Sequence, residues 1–198
     1  MTTSLWTPPP ATAALIFDCD GTLADTMPAH YKAWTSMLRR FRIPFPEARF
    51  YALGGMPTAR IIRLLADEAG VLVTDIDAMV HEKEALFLEH LNDIRPIEPV
   101  VAIAARCRGR WPLAVASGGY RHTITRTLDH LQIRSWFDTI VTAEDTPRHK
   151  PEPDVFLEAA ARLKVAPSRC VVFEDTDIGL EAARRAGMLG VDIRPWRQ

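Results

Sequence analysis

Two carboxylates follow a short apolar run near the start of the chain. The run 15–17 leads directly into Asp18 and Asp20, and Gly21 comes next. Such a run is typical of a buried strand, and residues two apart in an extended chain point to the same side. Asp18 and Asp20 can therefore face one site, where a cation must offset their mutual repulsion. Their oxygens suit Mg2+, although so short an acidic motif fits a solvated turn equally well.

Three further apolar runs, at 112–116, 137–141 and 170–173, also lead into polar residues. These are Ser117 with Gly118, Lys150 in a loop, and Glu174 with Asp175. In an open parallel sheet, ligands bind beyond the carboxyl ends of the strands, which is where these residues would lie. Other interpretations remain open for each position. Ser117 could cap a helix, Lys150 could be a solvated cation, and residues 174–175 could be an acidic helix start.

Together, the four strand ends fit phosphoryl transfer. This chemistry needs a nucleophile, charge neutralisation and donors to the phosphate oxygens. Asp18 can attack phosphorus and form an aspartyl-phosphate, and Asp20 can transfer a proton to the leaving oxygen. Asp175 can hold Mg2+ together with Asp18. Ser117 can donate a hydrogen bond to phosphate, and Lys150 can balance the negative charge.

The elements that position these residues form an α/β pattern with one interruption. Strands alternate with helices in most of the chain, which indicates βαβ units and a parallel sheet. Residues 27–94 instead predict helices alone, one of them starting at Thr58 as its cap and ending at Gly70. We therefore predict a discontinuous core, residues 1–26 and 95–198, with residues 27–94 as a helical insert. The last strand is expected at 191–193.

The composition is that of an ordinary globular protein. The chain has 198 residues, of which 47% are hydrophobic and 25% are charged. A formal net charge of -1 creates no basic field for nucleic acid or an anionic membrane, so we expect neither as a partner. The cysteines show no metal-binding spacing and predict buried thiols in a cytoplasmic protein. Because internal packing accounts for the apolar stripes, we also expect a monomer.

The polar positions resemble, in order, the four motifs of the haloacid dehalogenase superfamily. They read Asp18-Cys19-Asp20-Gly21-Thr22, Ser117-Gly118, Lys150-Pro151 and Glu174-Asp175. The insert after the first motif resembles the helical cap of the β-phosphoglucomutase-like branch. Gly55-x-Pro57-Thr58 in this insert, and the stretch 25–34 that leads into it, are similar to sugar-phosphate phosphatases of the fructose-1-phosphatase type.

This resemblance implies a Rossmann-like, three-layer core built on a parallel sheet, with a small inserted cap domain. It implies Asp18 as nucleophile and Asp20 as acid and base. It also implies Mg2+ on Asp18, the Asp20 carbonyl and Asp175, with Glu174 in or near the metal shell. The implied substrate is a small phosphate ester, with phosphate bound by Ser117, Gly118 and Lys150. The candidate substrate residues in the cap are His30, Gly55 and Thr58.

The cap loop bears on whether the phosphoryl group passes to water or to a sugar. A mutase must hold a second phosphate, and in β-phosphoglucomutases this loop resembles Lys-Gly-x-Ser-Arg. Here it reads Gly54-Gly55-Met56-Pro57-Thr58, so both cationic positions are neutral. Each charge-assisted contact is worth roughly 1.5–3 kcal/mol. We therefore favour a phosphatase over a β-phosphoglucomutase.

Two further questions are whether the protein is catalytically active and what His30 does. A catalytically silent binding protein on the same fold would not need Asp18, Asp20, Lys150 and Asp175 together, so we favour an enzyme. His30 has two open interpretations, a ligand or proton relay at the boundary between core and cap, or an exposed helix histidine.

Overall fold

The computed structural model describes residues 6–197. Two compact units emerge from the contacts within the chain. One contains the described residues up to Asp25 and from Arg95 onward, and the other contains Thr26–Ile94. Within 6–197, no helix has both the length and the apolar character needed to cross a membrane.

The described residues form seven strands and eight α-helices, besides short 3-10 turns. The strands are β1 (Ala14–Phe17), β2 (Ala24–Asp25), β3 (Arg95–Pro96), β4 (Leu113–Ala116), β5 (Thr139–Val141), β6 (Cys170–Glu174) and β7 (Leu189–Asp192). The helices are α1 (Met27–Arg40), α2 (Glu47–Ala52), α3 (Thr58–Ala69), α4 (Ile76–Leu88), α5 (Glu98–Cys107), α6 (Arg121–His130), α7 (Asp154–Leu163) and α8 (Asp177–Arg185).

The first unit is built on a five-stranded parallel sheet in the order β5-β4-β1-β6-β7. Strand β1 is central, and Phe17 lies opposite Val115 of β4 and Phe173 of β6. Alternate residues of β1 enter two different cores. Leu15 and Phe17 pack in a cluster with α5 and α6, whereas Ile16 packs in a cluster with α7 and α8. Helices therefore cover both faces, which confirms the predicted α/β fold and explains why the central strands are apolar throughout.

The second unit, Thr26–Ile94, is helical in its described elements. Helix α4 packs on α1 and α3. Asp75 is the N-cap of α4, and its side chain accepts a hydrogen bond from the Ala78 amide at 2.9 Å. Helix α3 ends at Gly70, which has the left-handed φ of 64° that favours glycine at this position.

Several element boundaries differ from the sequence-based expectations. Pro57, not Thr58, occupies the N-cap of α3, and no side chain caps that helix. The expectation of a Thr58 cap was therefore wrong. The last strand covers Leu189–Asp192 instead of 191–193. The antiparallel pair of β2 and β3 was missed, because two-residue strands are too short to show an alternating pattern.

The loop after β5 is held by the carboxylate of Asp145. It accepts hydrogen bonds from the Thr142 amide at 2.8 Å and from Arg162 Nη2 at 2.7 Å, and it also pairs with Arg121. Burial raises the pKa of Asp145, but the hydrogen bonds from Arg162 and Thr142 outweigh this effect and lower it to about 2. These contacts tie the end of β5 to α6 and α7.

We expect Asp145→Asn to lower the free energy of unfolding by about 1 to 2 kcal/mol near neutral pH. A pKa of about 2 for Asp145 would correspond to a larger loss, but water screens part of the interaction because the side chain of Arg121 is 45% exposed. A carboxyl whose pKa falls on folding stabilises the fold above its unfolded pKa, and this contribution is lost as the pH drops through the folded pKa. The difference between wild type and variant should therefore shrink between about pH 4 and about pH 2.

Urea unfolding across this pH range measures the effect. Asp67→Asn, at an exposed position of α3, is the matched control and should change stability by less than about 0.5 kcal/mol at every pH. A difference for Asp145→Asn that is independent of pH would contradict the ionic origin of the stabilisation.

Candidate active site

Four strands deliver polar residues to one edge of the sheet. Asp18 follows β1, Ser117 follows β4, the loop after β5 carries Lys150, and Glu174 is the last residue of β6. Because these strands are parallel, their carboxyl ends meet at the same edge. The sequence-predicted residues of the core are thus brought together there.

The centre of the site is a buried ionic triad, in which Lys150 bridges two carboxylates. Its Nζ donates to Asp18 Oδ1 at 2.7 Å and to Glu174 Oε2 at 2.6 Å. The side chains of Lys150, Asp18 and Glu174 are only 7%, 8% and 1% exposed. Lys150 is therefore directed into the site, and the alternative of a solvated loop cation is wrong.

Burial and charge shift the pKa values within this triad. Burial and the nearby Glu174 carboxylate raise the pKa of Asp18 well above its ordinary value, although Lys150 opposes them. For Lys150, burial lowers the pKa, but the carboxylates of Asp18 and Glu174 more than offset this and raise it. The lysine thus stays charged, and the site carries excess negative charge that a further cation would relieve.

The other oxygen of Glu174 is held by the start of α8. Oε1 accepts hydrogen bonds from the Asp175 amide at 3.1 Å, the Thr176 amide at 3.0 Å and Thr176 Oγ1 at 2.8 Å. Thr176 is also the N-cap of α8 and accepts from the Gly179 amide at 3.1 Å. Glu174 itself ends β6, so it is not merely an acidic residue of the helix start.

Gly179 gives Glu174 the space that it occupies. A Cβ added at Gly179 would lie 2.1 Å from Glu174 Cδ. The Glu174 carboxylate cannot move away without breaking its hydrogen bonds to Lys150 and to the Asp175 and Thr176 amides. We expect Gly179→Ala to lower the free energy of unfolding by about 2 kcal/mol or more, even though alanine is normally the better helix former. Gly118→Ala is the control, since its added Cβ meets nothing within 4 Å. Equal melting temperatures for the two variants would contradict the tight packing at Gly179.

Asp175 lies beside the triad and has two partners of its own. Thr22 Oγ1 donates to Oδ1 at 3.2 Å, and Arg197 Nη1 donates to Oδ2 at 3.0 Å. Burial, followed by repulsion from Glu174, raises the pKa of Asp175 to about 7. A Cβ at Gly21 would lie 2.2 Å from Asp175 Oδ2, and Gly21 has a φ of 82°, so only glycine fits this turn.

The carboxylates form a cluster suited to a hard divalent cation. One oxygen from each of Asp18, Glu174 and Asp175 lies within 4.8 Å of the other two. Oxygen donors with excess negative charge are the ligands that Mg2+ prefers. The Asp20 side chain lies elsewhere, against Gly119, where an added Cβ would be 3.2 Å from Oδ2. This placement leaves its carboxylate beside the loop after β4.

Ser117 and Gly118 form that loop. Ser117 is 1% exposed, and its Oγ accepts a hydrogen bond from the Gly119 amide at 3.0 Å, which leaves the hydroxyl hydrogen to donate. Tyr120 is the N-cap of α6, so the alternative of Ser117 as a helix cap is wrong. Gly118 is exposed, and its backbone is open to a ligand.

The candidate substrate residues His30, Gly55 and Thr58 lie in the helical unit. His30 is half-buried rather than exposed, since its ring stacks on Phe87 with centroids 4.0 Å apart. Gly55 has a φ of 81° in the loop before α3, and Thr58 is the first residue of that helix. That these three residues contact a substrate stays a prediction.

The sequence analysis missed two charged residues, Lys83 beside His30 in the helical unit and Arg197 beside Asp175 in the core. Lys83 is 3% exposed, and its Nζ lies 2.9 Å from His30 Nδ1 and 2.9 Å from Glu84 Oε1. Its spacing between Val80 and Phe87 of the apolar stripe was a usable signal, because that stripe faces inward. Arg197, the partner of Asp175, showed no such signal because it lies far from the four motifs.

Comparisons with known proteins show what this chain is similar to. The sequence model of the haloacid dehalogenase-like hydrolases matches residues 12–187. The fructose-1-phosphate phosphatase YqaB of Escherichia coli is 42% identical over 183 residues, which cover 92% of this chain and 96% of that protein. The β-phosphoglucomutase of Bacillus subtilis is 27% identical, with 91% and 82% covered. In structure, a β-phosphoglucomutase from Clostridium difficile has a TM-score of 0.82 at 23% identity, covering 91% of this chain and 84% of its own.

Proposed function

The chain belongs to the haloacid dehalogenase-like hydrolase family and is a phosphoric monoester hydrolase, and on this basis we propose a more specific reaction. The protein hydrolyses a small sugar phosphate, similar to fructose 1-phosphate, in a Mg2+-dependent reaction that passes through an aspartyl-phosphate. The single observation that carries the proposal is the buried bridge of Lys150 between Asp18 and Glu174. It holds a nucleophilic carboxylate beside a fixed positive charge.

Asp18 and Asp20 divide the covalent chemistry between them. Asp18 attacks phosphorus, a P–O bond forms to its carboxylate, and the bond from phosphorus to the sugar oxygen breaks. Asp20 gives its proton to that leaving oxygen. In the second step Asp20 takes a proton from water, the water oxygen attacks phosphorus, and the carboxylate of Asp18 leaves as inorganic phosphate forms.

The remaining core residues bind the phosphoryl group and balance its charge. Lys150 attracts its oxygens while neutralising Asp18, and Ser117 with the backbone at Gly118 donates hydrogen bonds to them. Asp18, Glu174 and Asp175, together with the Asp20 carbonyl, are the residues that would hold Mg2+. When bound, this ion supplies further positive charge against the oxygens of the phosphoryl group.

The helical unit is proposed as the cap that selects the substrate. We divide the chain into a core of 1–26 and 95–198 and a cap of 27–94, close to the two compact units. His30, Gly55 and Thr58 are assigned to substrate contact. The neutral loop 54–58 supports hydrolysis, because it lacks the cations that would hold a second phosphate in a mutase. The similarity to YqaB, which is named a fructose-1-phosphate phosphatase, supports the sugar-phosphate class.

Phosphate release from a panel of sugar phosphates, including fructose 1-phosphate, tests this function. We expect turnover with Mg2+ and a loss of at least about a hundredfold after chelation with EDTA, restored when Mg2+ is added back. Activity that is insensitive to EDTA would contradict the metal requirement. Absence of turnover across the panel would contradict the phosphatase assignment.

A β-phosphoglucomutase is the second candidate, supported by the similarity to the Bacillus subtilis enzyme. It shares the first half-reaction, so the products must distinguish the two. Formation of glucose 6-phosphate from β-glucose 1-phosphate with a bisphosphate primer would favour the mutase. A protein that neither releases nor transfers phosphate would instead be a silent binding protein.

The buried free thiols of Cys19, Cys107 and Cys170 agree with the proposed cytoplasmic location.

A further inference from the structure

Arg197 connects the segment after β7 to the carboxylate cluster. Its Nη1 lies 3.0 Å from Asp175 Oδ2, and its Nη2 lies 3.5 Å from Asp25 Oδ1. The arginine side chain is 31% exposed, whereas that of Asp175 is only 7% exposed. A positive group at the surface of the unit therefore reaches one of the three carboxylates that could hold a metal.

The segment that carries Arg197 is packed into the core. Ile193 is fully buried, and its amide donates to the Glu174 carbonyl at 3.0 Å. Trp196 packs in the same apolar cluster as Phe173, with ring centroids 6.3 Å apart. Residues Arg194–Trp196 form a short 3-10 turn, and Arg194 at its start pairs with Asp192 and Asp177. The residues that precede Arg197 are thus anchored to the end of β6 and, through the Arg194–Asp177 pair, to the start of α8.

The charges at Asp175 decide what this contact does. Glu174 and Asp175 repel each other, and Arg197 and Lys150 are the positive groups that act against this repulsion at Asp175. A metal ion held by Asp18, Glu174 and Asp175 would share the Asp175 carboxylate with the guanidinium. Two cations on one carboxylate repel each other, so the arginine must weaken the binding of the metal.

We propose that Arg197 is a resident counter-cation of Asp175, which acts through that carboxylate and thereby sets the affinity of the site for Mg2+. It stabilises the carboxylate cluster when no metal is bound and opposes Mg2+ when it binds. This inference rests on the proposed metal site. It adds to that site a residue that lies outside the four motifs.

Titration calorimetry with Mg2+ alone tests the inference without any turnover. We expect Arg197→Gln to bind Mg2+ on the order of tenfold more tightly than wild type, because a nearby unit charge is removed. Arg197→Lys keeps that charge and should bind within about twofold of wild type. Arg184→Gln, at a side chain 74% exposed and paired with Glu181, removes the same charge on α8 and should leave the affinity unchanged. The gain in Arg197→Gln should shrink at high KCl, since salt screens exposed charges.

Thermal unfolding supplies a second readout. Metal-free Arg197→Gln should melt at a lower temperature than wild type, because the carboxylates lose a compensating charge. Saturating Mg2+ should raise the melting temperature of Arg197→Gln by more than it raises that of wild type, since tighter binding to the folded state stabilises it more.

Three results would overturn the inference. If Arg197→Gln binds Mg2+ more weakly, the arginine orients Asp175 for the metal instead of opposing it. If the affinities of Arg197→Gln and wild type are equal, the contact has no influence on the metal. If wild type binds no Mg2+, the proposed metal site fails, and the inference fails with it. The second result, in which wild type binds Mg2+ and Arg197→Gln binds it equally well, refutes the inference but leaves the proposed metal site intact.

Discussion

Asp18→Asn should abolish phosphate release, with kcat at least about a thousandfold below wild type. The amide has no negative charge to attack phosphorus, and no covalent intermediate can form on it. The substituted side chain has nearly the same volume, and Glu174 still pairs with Lys150 at 2.6 Å. Because Lys150 keeps this ionic partner, Asp18→Asn leaves no buried charge uncompensated and should not strongly destabilise the fold.

Steady-state phosphate release and intact-protein mass spectrometry after acid quenching together measure this effect. The wild type should show a phosphorylated species during turnover, and Asp18→Asn should show none. Asp93→Asn, an exposed carboxylate paired with Lys32 in the helical unit, is the matched control and should keep wild-type activity. Turnover by Asp18→Asn at more than about a tenth of the wild-type rate would rule out Asp18 as the nucleophile.

Lys150→Met should cost both stability and activity. The methionine keeps much of the lysine volume but leaves the buried carboxylates of Asp18 and Glu174 without their shared partner. Removing one member of a buried ionic group costs about 3 to 5 kcal/mol, because the remaining charge is uncompensated. Phosphate release should also fall by at least about a hundredfold, since the fixed positive charge beside the phosphoryl group is lost.

Lys32→Met is the control for this prediction. The Lys32–Asp93 pair has a similar distance, 2.9 Å, but its side chains are 52% and 54% exposed. Exposed pairs are worth about 0 to 1 kcal/mol, so this variant should unfold almost as wild type does. Denaturant unfolding of both variants in EDTA measures the contrast. Similar losses of stability would show that the burial of the Lys150 triad contributes little.

Much of the core was predictable because local patterns dictate it. The apolar runs at 15–17, 112–116, 137–141 and 170–173 overlap β1, β4, β5 and β6, and helices alternate with these strands as the α/β pattern predicts. Apolar periodicity and the placement of Gly and Pro are properties of neighbouring residues, and they survive folding when burial agrees with them. Two-residue strands and the edges of β5 and β7 were missed or misplaced, since distant pairing determines them.

The sequence by itself determined the type of chemistry at the candidate site. The order of Asp18, Ser117, Lys150 and Glu174-Asp175 after apolar runs was enough to predict phosphoryl transfer, because parallel strands bring their carboxyl ends to one edge. Only the tertiary structure decided how these charges are partnered. Lys150 bridges Asp18 and Glu174, and Arg197 reaches Asp175, across separations of up to 132 residues. Such contacts depend on packing in three dimensions, and no local pattern encodes the side chain that will lie against a given carboxylate.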